Sequence, residues 1–155
     1  MKISNFIIKA ISTFFYVGYL PFIPGTLASV AALFLFYLAR NNNLAQVFLT
    51  LVVIILGFLA SGRAEKLFNK KDPEYVVIDE VSGMLLSFAF IPYDIRLVVI
   101  AFILFRIFDI LKPFPINKLE RLPGSVGIMS DDIVAGIYTN IILQVLLRLA
   151  SFKIS

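Results

Sequence analysis

The sequence predicts an all-α protein, a small polytopic helical membrane bundle with short or re-entrant helices. Composition is the first reason. The chain is 60% hydrophobic and only 15% charged, whereas an ordinary soluble domain carries about 25% charged residues. Mean hydropathy is the second: at +0.95, 155 residues cannot hide so much apolar side chain in one core, so part of it faces lipid. The third is that the apolar residues fall in long runs separated by Pro, Gly and Asn turns. The length suits one domain, residues 1–155. With no Trp among its residues, the chain must build any aromatic belt from Tyr and Phe, such as Tyr16, Tyr19 and Tyr93.

Residues 3–19 read as a helix with polar positions at Ser4, Asn5, Lys9, Ser12 and Thr13, suited to the interface or to packing on the bundle. Lys9 interrupts its apolar run and no small-x-small site follows, which is unlike a cleaved signal. Pro21 and Pro24 break the helix, and Gly25 or Thr26 starts the next, which runs to 38. Residues 44–60 are the cleanest spanning candidate, with only Gln46 and Thr50 as polar side chains. Residues 62–77 are a polar stretch. Residues 81–90 and 97–108 are apolar arms around Pro92-Tyr93-Asp94, each too short to cross alone. They form either a helical hairpin dipping into the membrane or one long kinked span, with the turn chemistry of Pro-Tyr-Asp favouring the hairpin. Residues 112–130 read as a loop, and 133–149 as the last span.

Basic residues collect in the N-terminus, the 62–79 segment and the 112–130 segment. The positive-inside rule makes their shared face cytoplasmic, although Arg148 and Lys153 fall on the other side. The net charge of +4 is a membrane bias, not a nucleic-acid footprint, because the cations form no long run. The residues leave oligomeric state open.

Cys and His are both absent. That removes thiol nucleophiles, imidazole bases, phosphohistidine and His-ligated metals. Among the ten acidic residues, Asp79, Glu80, Asp109, Asp131 and Asp132 sit where apolar segments meet one face. Asp79-Glu80 and Asp131-Asp132 at helix starts also suit simple capping and the macrodipole. Asp109 does not, since it ends a helix; a private pair with Arg106, three residues earlier, is its structural reading. Carboxylates without imidazole or thiol select a hard cation, Mg2+, whose uses are charge neutralisation and activation of water.

Arg106 and Lys112 flank Asp109 at three-residue spacing and suit a phosphate, though Lys112 also suits snorkelling at the interface. Pro24-Gly25-Thr26 leads into a helix start that could hold an anion. Residues 124–130 read as a flexible phosphate-facing loop or a linker.

Four segments, in order, resemble the phosphatidylglycerophosphatase A family: Leu20 to Thr26, Val77 to Gly83, Phe105 to Ile116 and Gly127 to Gly136. Ala28 stands where the resemblance leads one to expect Gly. The resemblance implies a bacterial inner-membrane, multi-pass enzyme that converts phosphatidylglycerophosphate to phosphatidylglycerol and inorganic phosphate with Mg2+. Chemistry and placement then assign Asp79, Glu80, Asp109, Asp131 and Asp132 to the metal. Asp131 or Glu80 would be the base. Arg106, Lys112, Gly25 and Thr26 would hold the phosphate. A transporter or cation-binding subunit would instead place its acids deep within spans, and a purely structural subunit would not cluster them.

Overall fold

The computed structural model describes residues 2–154, with side chains from Ser4 to Leu149. The side chains of Lys2 and Lys153, which the charge pattern uses, lie outside the described ones. The described residues form α1 (Lys2–Ser12), α2 (Pro24–Ala39), α3 (Asn43–Phe68), α4 (Ile78–Ser87), α5 (Ile95–Leu111), α6 (Ile116–Leu119) and α7 (Gly124–Ile154), with a 3-10 turn at Val17–Tyr19 and no strand.

Local chemistry sets the helix ends. Pro24 opens α2 at a position where its missing N–H costs nothing. Asn42 caps α3 by accepting from the Ala45 amide at 3.1 Å, and Asp94 caps α5 by accepting from the Arg96 amide at 2.8 Å. Asn69 and Lys112 end α3 and α5 in the left-handed region, at φ 49° and 44°.

Three expectations are corrected. The first helix stops at Ser12 rather than 19, because Phe14, Phe15 and Tyr16 all turn to positive φ. α3 continues through the polar stretch to Phe68; Arg63, Glu65 and Lys66 are good helix formers, and nothing breaks the helix before Asn69. The 112–130 segment is not a loop. It holds α6, and residues 124–130 are the first two turns of α7, so Asp131-Asp132 lie in its third turn and cap nothing.

The hairpin exists as α4 and α5, and its tip reaches the far end of α2. Tyr93 packs edge-on against Tyr37 at 5.5 Å between ring centroids, and the Arg40 guanidinium lies over both rings, 3.8 Å from that of Tyr37. α4 is buried between α2, α3 and α7, and at about 15 Å it is short. Its last carbonyls, which no next turn can satisfy, take protein amides. Gln46 donates to Phe88 O, Asn140 donates to Ser87 O at 3.0 Å and Ala89 O at 2.8 Å, and Gln144 donates to Ala89 O at 3.3 Å. Non-helical backbone inside an apolar bundle requires such partners.

Residues 43–68 and 124–149 are long and apolar enough to cross a membrane, and only 33% and 28% of their most apolar stretches is buried. The remainder points outward, unlike the core helix of a soluble protein. Phe34, Phe48, Leu59, Ile103 and Ile110 are among the large apolar side chains left exposed. The architecture is therefore a small helical membrane bundle.

α4 and α7 cross at two glycines. A Cβ on Gly136 would lie 2.3 Å from the Gly83 carbonyl oxygen, and one on Gly83 would lie 2.3 Å from that of Asp132. Both obstacles are backbone. Gly136→Ala is expected to lower the stability of detergent-solubilised protein by about 1–3 kcal/mol through overpacking, read as a drop in thermal midpoint. Asn140→Leu, which removes the side-chain donor to Ser87 O and leaves Ala89 O with only the longer bond from Gln144, is expected to cost about 1–3 kcal/mol.

Candidate active site

α4, α5 and α7 deliver acids to one end of the bundle. Asp79 and Glu80 occupy the first turn of α4, where the positive end of the macrodipole favours them. Asp109 lies in the last turn of α5. Asp131 and Asp132 come from α7. Asp79, Asp131 and Asp132 are buried. Asp79, Glu80, Asp109, Lys112, Asp131 and Asp132 line one cavity of about 140 Å³, and Asp72, Pro73, Glu74 and Val76 complete its wall.

Within the cavity, Asp79, Glu80 and Asp132 each place a carboxylate oxygen within 4.8 Å of the others. Asp79 Oδ1, Glu80 Oε2, Asp131 Oδ1 and Asp132 Oδ1 are buried with no hydrogen-bond donor. Buried anionic oxygens without partners are expensive, and carboxylates grouped in this way could hold a metal ion.

Two native cations are already engaged. Lys112 Nζ bridges Asp131 Oδ2 at 2.7 Å and Glu120 Oε2 at 2.8 Å. Burial alone would lower its pKa, but these two carboxylates outweigh burial and hold the ammonium above the ordinary lysine range. Arg106 Nη1 lies 2.7 Å from Asp109 Oδ2, in a contact too poorly aligned to count as a hydrogen bond. The private Arg106–Asp109 pair is therefore present. Gly25 backs Glu80: a Cβ there would lie 2.2 Å from Glu80 Oε1 and 3.5 Å from Arg106 Nη1. Thr26 follows in the first turn of α2, half-buried, and neither it, Gly25 nor Arg106 lines the cavity.

Comparison with known proteins identifies the family of the chain. A family model described as Phosphatidylglycerophosphatase A matches residues 10–147. The chain belongs to the phosphatidylglycerophosphatase A family. It is 36% identical to the phosphatidylglycerophosphatase A of Escherichia coli over 125 residues, 77% of this chain and 72% of that protein. It is also 36% identical to that of Haemophilus influenzae over 124 residues, 77% of this chain and 76% of that protein. A Bacteroides thetaiotaomicron protein, provisionally named a phosphatidylinositol-3-phosphatase, is 38% identical over 154 residues, 94% of this chain and 96% of that one. No solved structure matches. The chain is thus a phosphatase of phospholipid metabolism.

Sequence reasoning missed Asp72 and Glu74 in the wall and Glu120 behind Lys112. All three lie in connecting segments, where spacing carries no signal about distant neighbours. It also missed the crossing glycines, although a signal was there: Gly83 and Gly136 each follow an acid, Asp79 and Asp132, by four residues.

Lys112→Met leaves Asp131 with a buried, uncompensated charge and is expected to cost roughly 3 kcal/mol of stability. Adding Asp131→Asn should recover much of that stability in thermal unfolding without recovering hydrolysis. Gly25→Ala is expected to displace Glu80 and lower phosphatase activity by about tenfold or more, with the thermal midpoint moving far less than the rate.

Proposed function

We propose that the chain hydrolyses the terminal phosphomonoester of phosphatidylglycerophosphate, giving phosphatidylglycerol and inorganic phosphate, with Mg2+ held by Asp79, Glu80 and Asp132. The observation that carries this is the trio of carboxylates within 4.8 Å of one another, each with a buried oxygen lacking a donor. The donor set is all hard oxygen, which suits Mg2+. Seven carboxylates line the cavity against one lining cation, Lys112, with Arg106 behind it, so a phosphate dianion could not enter without further positive charge. When bound, the cation neutralises charge on the phosphate and lowers the pKa of water.

The chain's own groups do the rest. Lys112 turns from its carboxylates toward the phosphate oxygens, and Arg106 offers them the N–H groups that Asp109 does not engage. Asp109 stays beside Arg106 and orients it. Water attacks phosphorus as the bond to the glycerol oxygen breaks, and Asp131 takes the water proton through its unpartnered Oδ1. The glycerol oxygen takes a proton from solvent as it leaves, so the products are the lipid alcohol and inorganic phosphate. Asp131 suits the base better than Glu80, because it stands outside the trio. Gly25 keeps Glu80 in place, and Thr26 lies beside it in the first turn of α2.

The whole chain, 1–155, acts as one domain in a bacterial inner membrane, crossing it several times. Lys9, Arg63, Lys66, Lys70, Lys71, Lys118 and Arg121 belong to the site end, against Arg40, Arg96 and Arg148 at the other. That bias supports a cytoplasmic site. The name of the Bacteroides relative supports a second reading, in which the substrate is a phosphatidylinositol 3-phosphate. Both lipids present a phosphomonoester at the interface.

Phosphate release by purified protein from each lipid, with Mg2+ and then with excess chelator, decides between these readings. Phosphatidylglycerophosphate is expected to be the better substrate, and chelation or Asp132→Asn to lower the rate by about a hundredfold or more. Full activity in chelator would sink the cation, and preference for the inositol lipid would replace the substrate.

A further inference from the structure

Two grooves on the outer side of α3 lie away from the catalytic cavity. One, of about 370 Å³, runs between α1 and α3 and is walled by Ile7, Ile8, Ile11, Leu56, Leu59 and Ala60. The other, of about 550 Å³, lies between the end of α3 and the start of α7, and holds Arg63, Lys66, Glu65 and Gly124. Leu59 and Arg63 line both, so the two form one track, apolar at one end and charged at the other. Each is of the size that takes a small ligand.

The cations there are not committed elsewhere. Lys70 pairs with Glu74, and Lys112 with Glu120 and Asp131, but Arg63 and Lys66 make no ion pair among the described residues. Lys66 has a structural role available in the last turn of α3, where a cation complements the dipole. Arg63, almost a turn earlier, gains little from that. Glu65 is the one acid in the groove, and its carboxylate lies toward Gly124.

We infer that this track is a non-catalytic binding site for an anionic phospholipid of the surrounding bilayer, with the head-group phosphate on Arg63 and Lys66 and one acyl chain between α1 and α3. The charge at one end and the apolar wall at the other match the two halves of such a lipid. Polybasic sites at a membrane surface gain about 1 kcal/mol per cation from anionic lipid, and a groove localises that gain. The inference is independent of the proposed hydrolysis, since binding is read without turnover.

The chain has no tryptophan, so Leu59→Trp gives a single reporter inside the track. Phe34→Trp, on the exposed face of α2, gives one on ordinary lipid-facing surface. Each is placed in phosphatidylcholine vesicles containing brominated phosphatidylglycerol, and in the converse mixture with brominated phosphatidylcholine. Quenching of Leu59→Trp should favour the anionic lipid by about tenfold or more, and Phe34→Trp should show no such preference. Arg63→Gln with Lys66→Gln should abolish the preference, while Lys70→Gln with Lys71→Gln, an equal loss of charge, should leave it. Equal quenching by both lipids, or a preference that follows total charge alone, would overturn the site. So would shielding of Leu59→Trp from both lipids on self-association, which would make the track an interface between copies of the chain.

Discussion

The approach of α4 to α7 at Gly83 and Gly136 is the constraint on which the site depends. Each glycine lies four residues, about one turn, beyond an acid of the trio. Backbones that touch at the glycines bring Asp79 and Asp132 to facing positions one turn away. Any side chain at the crossing would push the helices apart and the carboxylates with them. Small residues serve this purpose in membranes, where lipid supplies no hydrophobic drive for helices to associate. Phe105 of α5, fully buried, closes on the same point: its ring lies 2.7 Å from where a Gly83 Cβ would stand.

That packing holds together groups that repel. Asp79, Glu80, Asp109, Asp131 and Asp132 share one cavity wall, and among the described residues Lys112 and Arg106 are the cations paired with them, beside the dipole of α4. A cluster so unbalanced works against folding. Ionisable groups kept in an apolar bundle at such cost mark function. The neighbouring cations are in turn held in place by carboxylates, Lys112 by Glu120 and Asp131 and Arg106 by Asp109.

Most of the acids of this site were legible in the sequence, because each sits at the border of an apolar run and such borders must meet at the bundle ends. The helical hairpin was legible as the better of two readings, since the turn chemistry of Pro92-Tyr93-Asp94 favours a reversal over one long kinked helix. Helix limits were less so. The polar end of α3 and the glycine-rich start of α7 look like loops by composition, yet tertiary packing keeps them helical: Gly62 donates its amide to Ser125 Oγ at 2.9 Å, tying the two segments together. The partners of Lys112 were not legible. Glu120 and Asp131 come from separate elements, and only the folded chain shows that one ammonium reaches both.

The amides that close the end of α4 bear on how the enzyme meets its substrate. Gln46 grips that end from α3, and Asn140 and Gln144 grip it from successive turns of α7. A helix fastened from two sides cannot piston along its axis. The positions of Asp79 and Glu80 relative to α3 and α7 are therefore fixed along that axis. A phosphate bound at the proposed site would have to come to these carboxylates, because the carboxylates cannot slide to meet it.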